Sequence, residues 1–294
     1  NITKAQLIYT SSSGELFNSD INKSVLPSAL QIKTSVTLID MKTEMQKKDF
    51  SIIADSTLNS IKETIANNQK VLIISLRQDS EEGVSAHKIQ EVLTNTLKNC
   101  RVAINNPEND LKDNFDILVS TSYSLETLKL NSKKKEFGLA VFSSIEPLLA
   151  LPDFRSAQRT FNKLNYWKMM CNELQIPQII LQSYSPDNLS IRAFAYGEVD
   201  TFKKSELENR KQILYPPFVD LIKLSYKGDV TNEIERAIKS LKENLNKDTQ
   251  VLGPFKDKKE NQSLLLKIPH QENLSIINSL PFGWMIDRDP ENVL

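Results

Sequence analysis

The run Val71-Leu-Ile-Ile-Ser75 is the feature that most narrows what this chain can fold into. Apolar residues follow one another there without alternation, the pattern of a short strand covered on both faces, as in a parallel sheet sandwiched by helices. Leu58, Ile61 and Ile65 precede it at helical spacing, and a second helical stretch, Ala86–Leu97, follows with Ile89, Val92 and Leu97 inward. Strand signals recur at Val102–Ile104, Phe115–Val119, Leu139–Phe142 and Gln178–Leu181. Strands alternating with helices predict an α/β domain. A longer helix is expected from Asp153 to Leu174, with Asp153 as N-cap after Pro152 and Phe154, Ala157, Phe161 and Leu164 on one face. Residues 1–50 read as an irregular lead-in holding two short strands, Ala5–Tyr9 and Val36–Ile39.

The order changes after residue 195. Residues 196–216 read as a charged helical connector ending at Pro216-Pro217. Then come a strand (Val219–Tyr226), a helix (Thr231–Leu245), two strands (Val251-Leu252, Ser263–Ile268), a helix (Glu272–Ser279) and a last strand (Trp284–Asp287). That β-α-β-β-α-β order predicts a small ferredoxin-like α+β domain over residues 217–294, after an α/β domain over residues 51–195.

Several chemistries are excluded by scarcity. The chain has seven glycines, with no two inside any stretch of twenty residues. Phosphate-cradling loops need clustered glycines so that backbone N–H groups reach the ligand, so no Walker loop, dinucleotide fingerprint or nucleophile elbow is present. Cys100, Cys171, His87 and His270 are the only cysteines and histidines, and no C-x-x-C pair seeds a zinc site. That usage suits a reducing cytoplasm. No apolar run approaches the ~20 residues needed to span a bilayer. Basic and acidic residues balance at 37 each, which leaves nucleic-acid binding open, since a neutral domain can carry a basic stripe. The opening Asn-Ile-Thr-Lys, without methionine, suggests a segment of a longer protein, and processing would give the same start.

Three stretches resemble a known family. Leu151-Pro-Asp-Phe-Arg-Ser-Ala-Gln-Arg-Thr-Phe161 resembles L-P-D-F-R-A-x-E-R-T-F of the bacterial primosomal helicases, the PriA family (primosomal protein N′), with Gln158 for the glutamate. Glu206-Leu-Glu-Asn-Arg-Lys-Gln-Ile-Leu-Tyr-Pro-Pro-Phe218 resembles its E-x-x-x-R-x-x-x-x-Y-P-P-F. Val251–Pro254, Leu264–Lys267 and Ile286–Pro290 follow in the family's order. The resemblance implies that the α/β part is a second RecA-like motor lobe and that residues 217–294 are the family's carboxy-terminal domain.

The departures are specific. Gln78–Ser85 passes straight to the next helix where the family has a zinc domain. D-I-L-I-G-T-Q-M-x-x-K-G reads Asp116-Ile-Leu-Val-Ser-Thr-Ser-Tyr-Ser-Leu-Glu-Thr127, and Q-V-A-G-R-A-G-R reads Tyr166-Trp-Lys-Met-Met-Cys-Asn-Glu173. Met170 and Glu173 thus stand where arginines are expected at the γ-phosphate, a role that is worth roughly 10³–10⁵ in rate. The expectation is a degenerate lobe with no cofactor of its own, where the family uses ATP and magnesium and binds zinc. The alternative is one lobe of an active ATP-dependent 3′→5′ helicase whose Walker motifs lie upstream. A scaffold without a DNA role is a third reading.

Candidate DNA contacts are Arg155, Arg159 and Lys163, at i, i+4, i+8 on the expected helix, against the plainer reading of a solvated face. By resemblance, Lys256, Lys258 and Lys259 stand in a basic loop, and Lys267 closes a family motif. Lys133-Lys-Lys135 reads as a solvated loop, and Tyr166 and Trp167 as either stacking or buried rings. Asp287 and Asp289 suit turn chemistry as well as a metal or acid/base site. His270 and Gln271 stand where the family is expected to receive the acidic tail of single-stranded-DNA-binding protein. The partners implied are forked or single-stranded DNA, that protein and primosome proteins, in the cytoplasm and without a membrane.

Overall fold

The computed structural model describes residues 34–45, 52–79, 83–106, 114–125, 137–143, 145–227, 231–256, 261–270, 277, 280, 283–290 and 293. The expected strand Ala5–Tyr9, the run Lys133-Lys-Lys135, and Lys258, Lys259 and Gln271 lie outside the described residues, as does the expected helix Glu272–Ser279 apart from Ile277. The chain divides into two compact units, residues 1–151 with 156–202, and residues 152–155 with 203–294.

The first unit holds β1 (Ser35–Asp40), α1 (Met41–Met45), α2 (Asp55–Ala66), β2 (Lys70–Ser75), α3 (Ala86–Thr96), β3 (Val102–Ile104), β4 (Ile117–Thr121), β5 (Phe137–Phe142), α4 (Glu146–Leu149), α5 (Ser156–Glu173), β6 (Gln178–Ser183) and α6 (Leu189–Tyr196). Its six strands lie in the order β1-β6-β5-β2-β4-β3, and every pairing is parallel. Alternate residues of one strand serve opposite cores. Val71 and Ile73 pack with Ile61, Ile89 and Leu93 of α2 and α3. Leu72 and Ile74 pack with Phe161, Leu164 and Trp167 of α5 and Ile191 and Phe194 of α6. Both faces are therefore covered, as the unbroken apolar run required, in an arrangement compatible with a RecA-like lobe.

Three local differences from the sequence reading have physical reasons. The strand in the supposed irregular lead-in is the edge strand of this sheet, with Ser35–Asp40 paired to Gln178–Ser183. The long helix begins at Ser156 rather than after Asp153, because the Asp153 carboxylate accepts the Arg155 N–H at 2.8 Å and closes a turn there. The helix α6, not expected from sequence, is capped by Asn188, whose Oδ1 accepts the Ser190 N–H at 2.9 Å, and it stops at Gly197 with φ 77°.

The helix α7 (Val199–Gln212) carries the division between the units, which falls after Phe202. The second unit continues with β7 (Asp220–Tyr226), α8 (Thr231–Asn244), β8 (Gln250–Lys256), β9 (Gln262–Ile268) and β10 (Trp284–Arg288). Its sheet is antiparallel, in the order β10-β7-β9-β8. Ile222, Leu224, Leu264, Leu266 and Ile268 face α8, which offers Ile234, Ile238 and Leu241 at helical spacing. The other face carries Leu221 and Leu265 with Val219, Phe154, Tyr215 and Phe255.

Candidate nucleic-acid interface

In the first unit the chain crosses from one side of β2 to the other between β4 and β5, which makes β2 the point where the sheet's winding reverses. Crevices at the carboxyl ends of strands beside such a point are the usual ligand sites of parallel sheets. An open groove of about 800 Å³ lies there, lined by Leu76 and Gln78 after β2, by Thr121, Ser122 and Tyr123 at the end of β4, and by Arg159, Asn162, Lys163 and Tyr166 of α5.

Two stripes on α5 explain the last four. Phe161, Leu164, Trp167 and Cys171 recur every three or four residues and are buried, with Thr160 and Met170 beside them. Arg159, Asn162, Lys163 and Tyr166 share another face at the same period and remain half-exposed. Arg159 and Lys163 are therefore brought to one groove. Arg155 precedes the helix, belongs to the second unit and is not grouped with them.

The β4 end, where the family has G-T-Q-M, is a web of hydroxyls. The Ser124 hydroxyl accepts the Thr121 N–H at 2.9 Å and lies 3.0 Å from both Ser120 Oγ and Thr121 Oγ1. The amide of Asn105 donates to Ser120 Oγ at 3.1 Å. This leaves Tyr123, in the helical turn that directly follows β4, 79 % exposed. Of the two rings in question on α5, Tyr166 lines the groove, with the Lys163 ammonium 5.5 Å from its centroid. Trp167 is buried, meets Phe142 edge-on at 5.3 Å and donates its indole N–H to Ser122 at 2.8 Å.

The two positions aligned with arginines differ in kind. Met170 is 2 % exposed inside the core formed with Phe142 and Leu164, and Glu173 is an exposed carboxylate at the end of α5. Neither supplies a cation to a triphosphate. Cys171 is fully buried in apolar surroundings that push its thiol up, and burial also raises that of Cys100. Among the described residues no group of three or more histidine, cysteine, aspartate or glutamate side chains is placed to hold a metal.

The second unit gathers residues from all three resembling stretches. Arg210 and Glu206, one helical turn apart on α7, form an ion pair of 2.8 Å with side chains 5 % and 10 % exposed. Phe154 stacks on Tyr215 at 4.3 Å, and the Arg155 and Arg210 guanidiniums lie 4.5 Å and 5.0 Å from the Phe154 centroid. Lys267 lies 3.8 Å from the Tyr215 centroid and donates to the Ile213 carbonyl at 2.7 Å. Burial pulls the Lys267 ammonium below its ordinary pKa. Arg155 donates to Asp289 at 2.6 Å and to the Pro290 carbonyl at 2.7 Å. Asp289 itself sits in the left-handed region at φ 53°, which aspartate tolerates better than most residues. Asp287 lies within β10 opposite Lys223. The three stretches are thus brought together in one cation–aromatic cluster, each such contact being worth roughly 0.5–2 kcal/mol.

Lys256 is an exposed residue at the end of β8. The imidazole of His270 is hydrogen-bonded through Nε2 to the Pro217 carbonyl at 2.8 Å and lies 3.2 Å through Nδ1 from Asp220. The carbonyl contact first, and Asp220 second, raise its pKa.

No family model matches the chain. The chain is 31 % identical over 144 residues to the replication restart protein PriA of Thermotoga maritima and 33 % identical over 118 residues to that of Bacillus subtilis. It is 30 % identical over 144 residues to that of Synechocystis. The chain is related to PriA. The matched segments are 49 %, 38 % and 47 % of this chain and 19 %, 14 % and 17 % of those relatives, so the likeness to PriA spans less than a fifth of their length. No helix among the described residues is long and apolar enough to cross a membrane.

Tyr123 and Gln78 were not singled out from the sequence. Their only signals were position, directly after an apolar strand run, and for Tyr123 a large ring among small hydroxyl residues.

Proposed function

We propose that this chain is the DNA- and partner-binding remainder of a PriA-like replication-restart protein, and that its lobe completes no ATP-hydrolysing site. The observation that carries this reading is a contrast within one chain. The PriA-like polar residues of the second unit are present and mutually engaged, whereas the positions aligned with motor arginines are a core methionine and a carboxylate. The all-parallel sheet supports a second RecA-like lobe. The order β10-β7-β9-β8 around α8 supports a ferredoxin-like terminal domain, in which the outer strands are joined through the two central ones.

On this reading Arg159 and Lys163 meet phosphates in the groove, and Lys256 with Lys258 and Lys259 offers a second basic contact. Arg155 and Lys267 act through the cation–aromatic cluster that shapes the terminal domain, which supports their neighbours' contacts with DNA. His270 with Gln271 receives an acidic segment such as the tail of single-stranded-DNA-binding protein, and the raised pKa of its imidazole supports that role.

Gel-shift titration on a forked DNA at two salt concentrations tests the reading. Binding that weakens steeply with salt is expected, and no binding at low salt would overturn it. DNA-stimulated ATP hydrolysis by a longer parent chain, abolished by Met170→Ala or Glu173→Ala, would instead favour an active helicase whose motor lies upstream.

A further inference from the structure

We infer that Tyr123 is a stacking platform for a nucleobase, so that the groove beside it takes single-stranded nucleic acid with a base on that ring and the backbone along Arg159 and Lys163. The inference rests on the DNA-binding reading and assigns it a residue and a strand form. The Tyr123 ring is 79 % exposed, so its face is open to a ligand at the mouth of the groove. The backbone that carries it is braced, because Thr121 and Ser124 on either side are tied to each other through the N–H of Thr121 and both hydroxyls. Ser122 is held by the Trp167 indole. The backbone under the ring is thus held in place, which lowers the ordering cost of binding.

The rest of the lining matches the same ligand. Tyr166 gives a second ring, Arg159 and Lys163 give two cations, and Gln78 and Asn162 give amides that can read base edges. No carboxylate is among the described residues that line the groove. Aromatic rings set beside cations are the common solution for single strands, since every base has a π-face while phosphates need only charge. A duplex keeps its bases stacked on one another and offers no free face to Tyr123. The two cations stand four residues apart on α5, about 6 Å along the helix axis, which suits successive points on a backbone rather than one terminal phosphate. No clustered glycines are present to cradle such a terminal group.

The test compares a fluorescein-labelled oligo(dT) with an abasic strand of equal length and a blunt duplex, by anisotropy on the full chain. Tyr123→Ala should weaken oligo(dT) binding roughly 5- to 150-fold, the range for losing one base stack, with the salt slope unchanged. Tyr123→Phe should bind as the parent does, and the abasic strand should not distinguish parent from Tyr123→Ala. Arg159→Ala with Lys163→Ala should weaken all single strands and flatten the salt slope. Because the ring is exposed, the thermal melt of Tyr123→Ala should match the parent's, which separates loss of stacking from loss of fold. Equal oligo(dT) affinity for parent and Tyr123→Ala, or equal losses on oligo(dT) and the abasic strand, would overturn the inference while leaving binding of forked DNA intact. Failure of the parent to bind any DNA at low salt would overturn the underlying reading as well.

Discussion

Replacing Glu206 by glutamine should cost the second unit about 3 kcal/mol of stability. Arg210 donates to Glu206 through Nε at 2.9 Å, reaches the Pro216 carbonyl at 3.4 Å and lies on Phe154, with both partners' side chains no more than 10 % exposed. Burial pulls the Arg210 guanidinium below its ordinary pKa, and Glu206 opposes that pull. Removing the carboxylate therefore strands a desolvated cation, a change that costs about 3–5 kcal/mol in comparable sites. Glutamine's amide oxygen still accepts one hydrogen bond, which places the expectation at the lower end. Urea unfolding followed by Trp284 emission in a Trp167→Phe background reports on the second unit, since those are the chain's two tryptophans. With a slope near 1 kcal/mol per molar for a unit of this size, the midpoint should fall by about 3 M. Arg210→Met should cost as much, by leaving the Glu206 carboxylate alone. The double variant Glu206→Leu, Arg210→Met should recover to within about 1–2 kcal/mol of the parent, because an apolar pair replaces a buried ion pair at little net cost. Single-variant losses below about 1 kcal/mol, or additive losses in the double variant, would refute the claim that this pair braces the unit.

Two further outcomes follow from the geometry. Met170→Arg, which restores the family's residue, should destabilise the first unit by about 3–5 kcal/mol, because position 170 is enclosed by the core. Its melt, followed by circular dichroism, should fall by roughly 10 °C without any gain of ATP hydrolysis. For His270 the folded pKa is raised, so its stabilising contribution is complete below the unfolded value near 6.5 and is lost as pH rises through the folded value. An NMR titration of His270 should show its imidazole titrating above the ordinary histidine value near 6.5, and His270→Ala should abolish that component of the pH dependence. A His270 titration at or below the ordinary histidine value would refute it.

What the sequence determined by itself was local and periodic. The unbroken Val71–Ser75 run and the three-to-four-residue spacing of Ala157, Phe161 and Leu164 state how many faces each element buries, and burial acts on every residue of an element at once. The PriA-like residues were legible as identities too. Their common use was not, because Phe154, Arg210, Tyr215, Lys267 and Asp289 meet only when distant segments pack. The groove depended on tertiary structure in the same way. Residues 76–78, 121–123 and 159–166 converge because β4 lies beside β2 and α5 covers one face of the sheet. Strand order is set by long-range pairing that no local spacing encodes, and that pairing also turned a strand of the supposed lead-in into the edge of the sheet. A turn closed by the Asp153 carboxylate left Arg155 ahead of the helix whose face spacing alone had assigned to Arg155, Arg159 and Lys163.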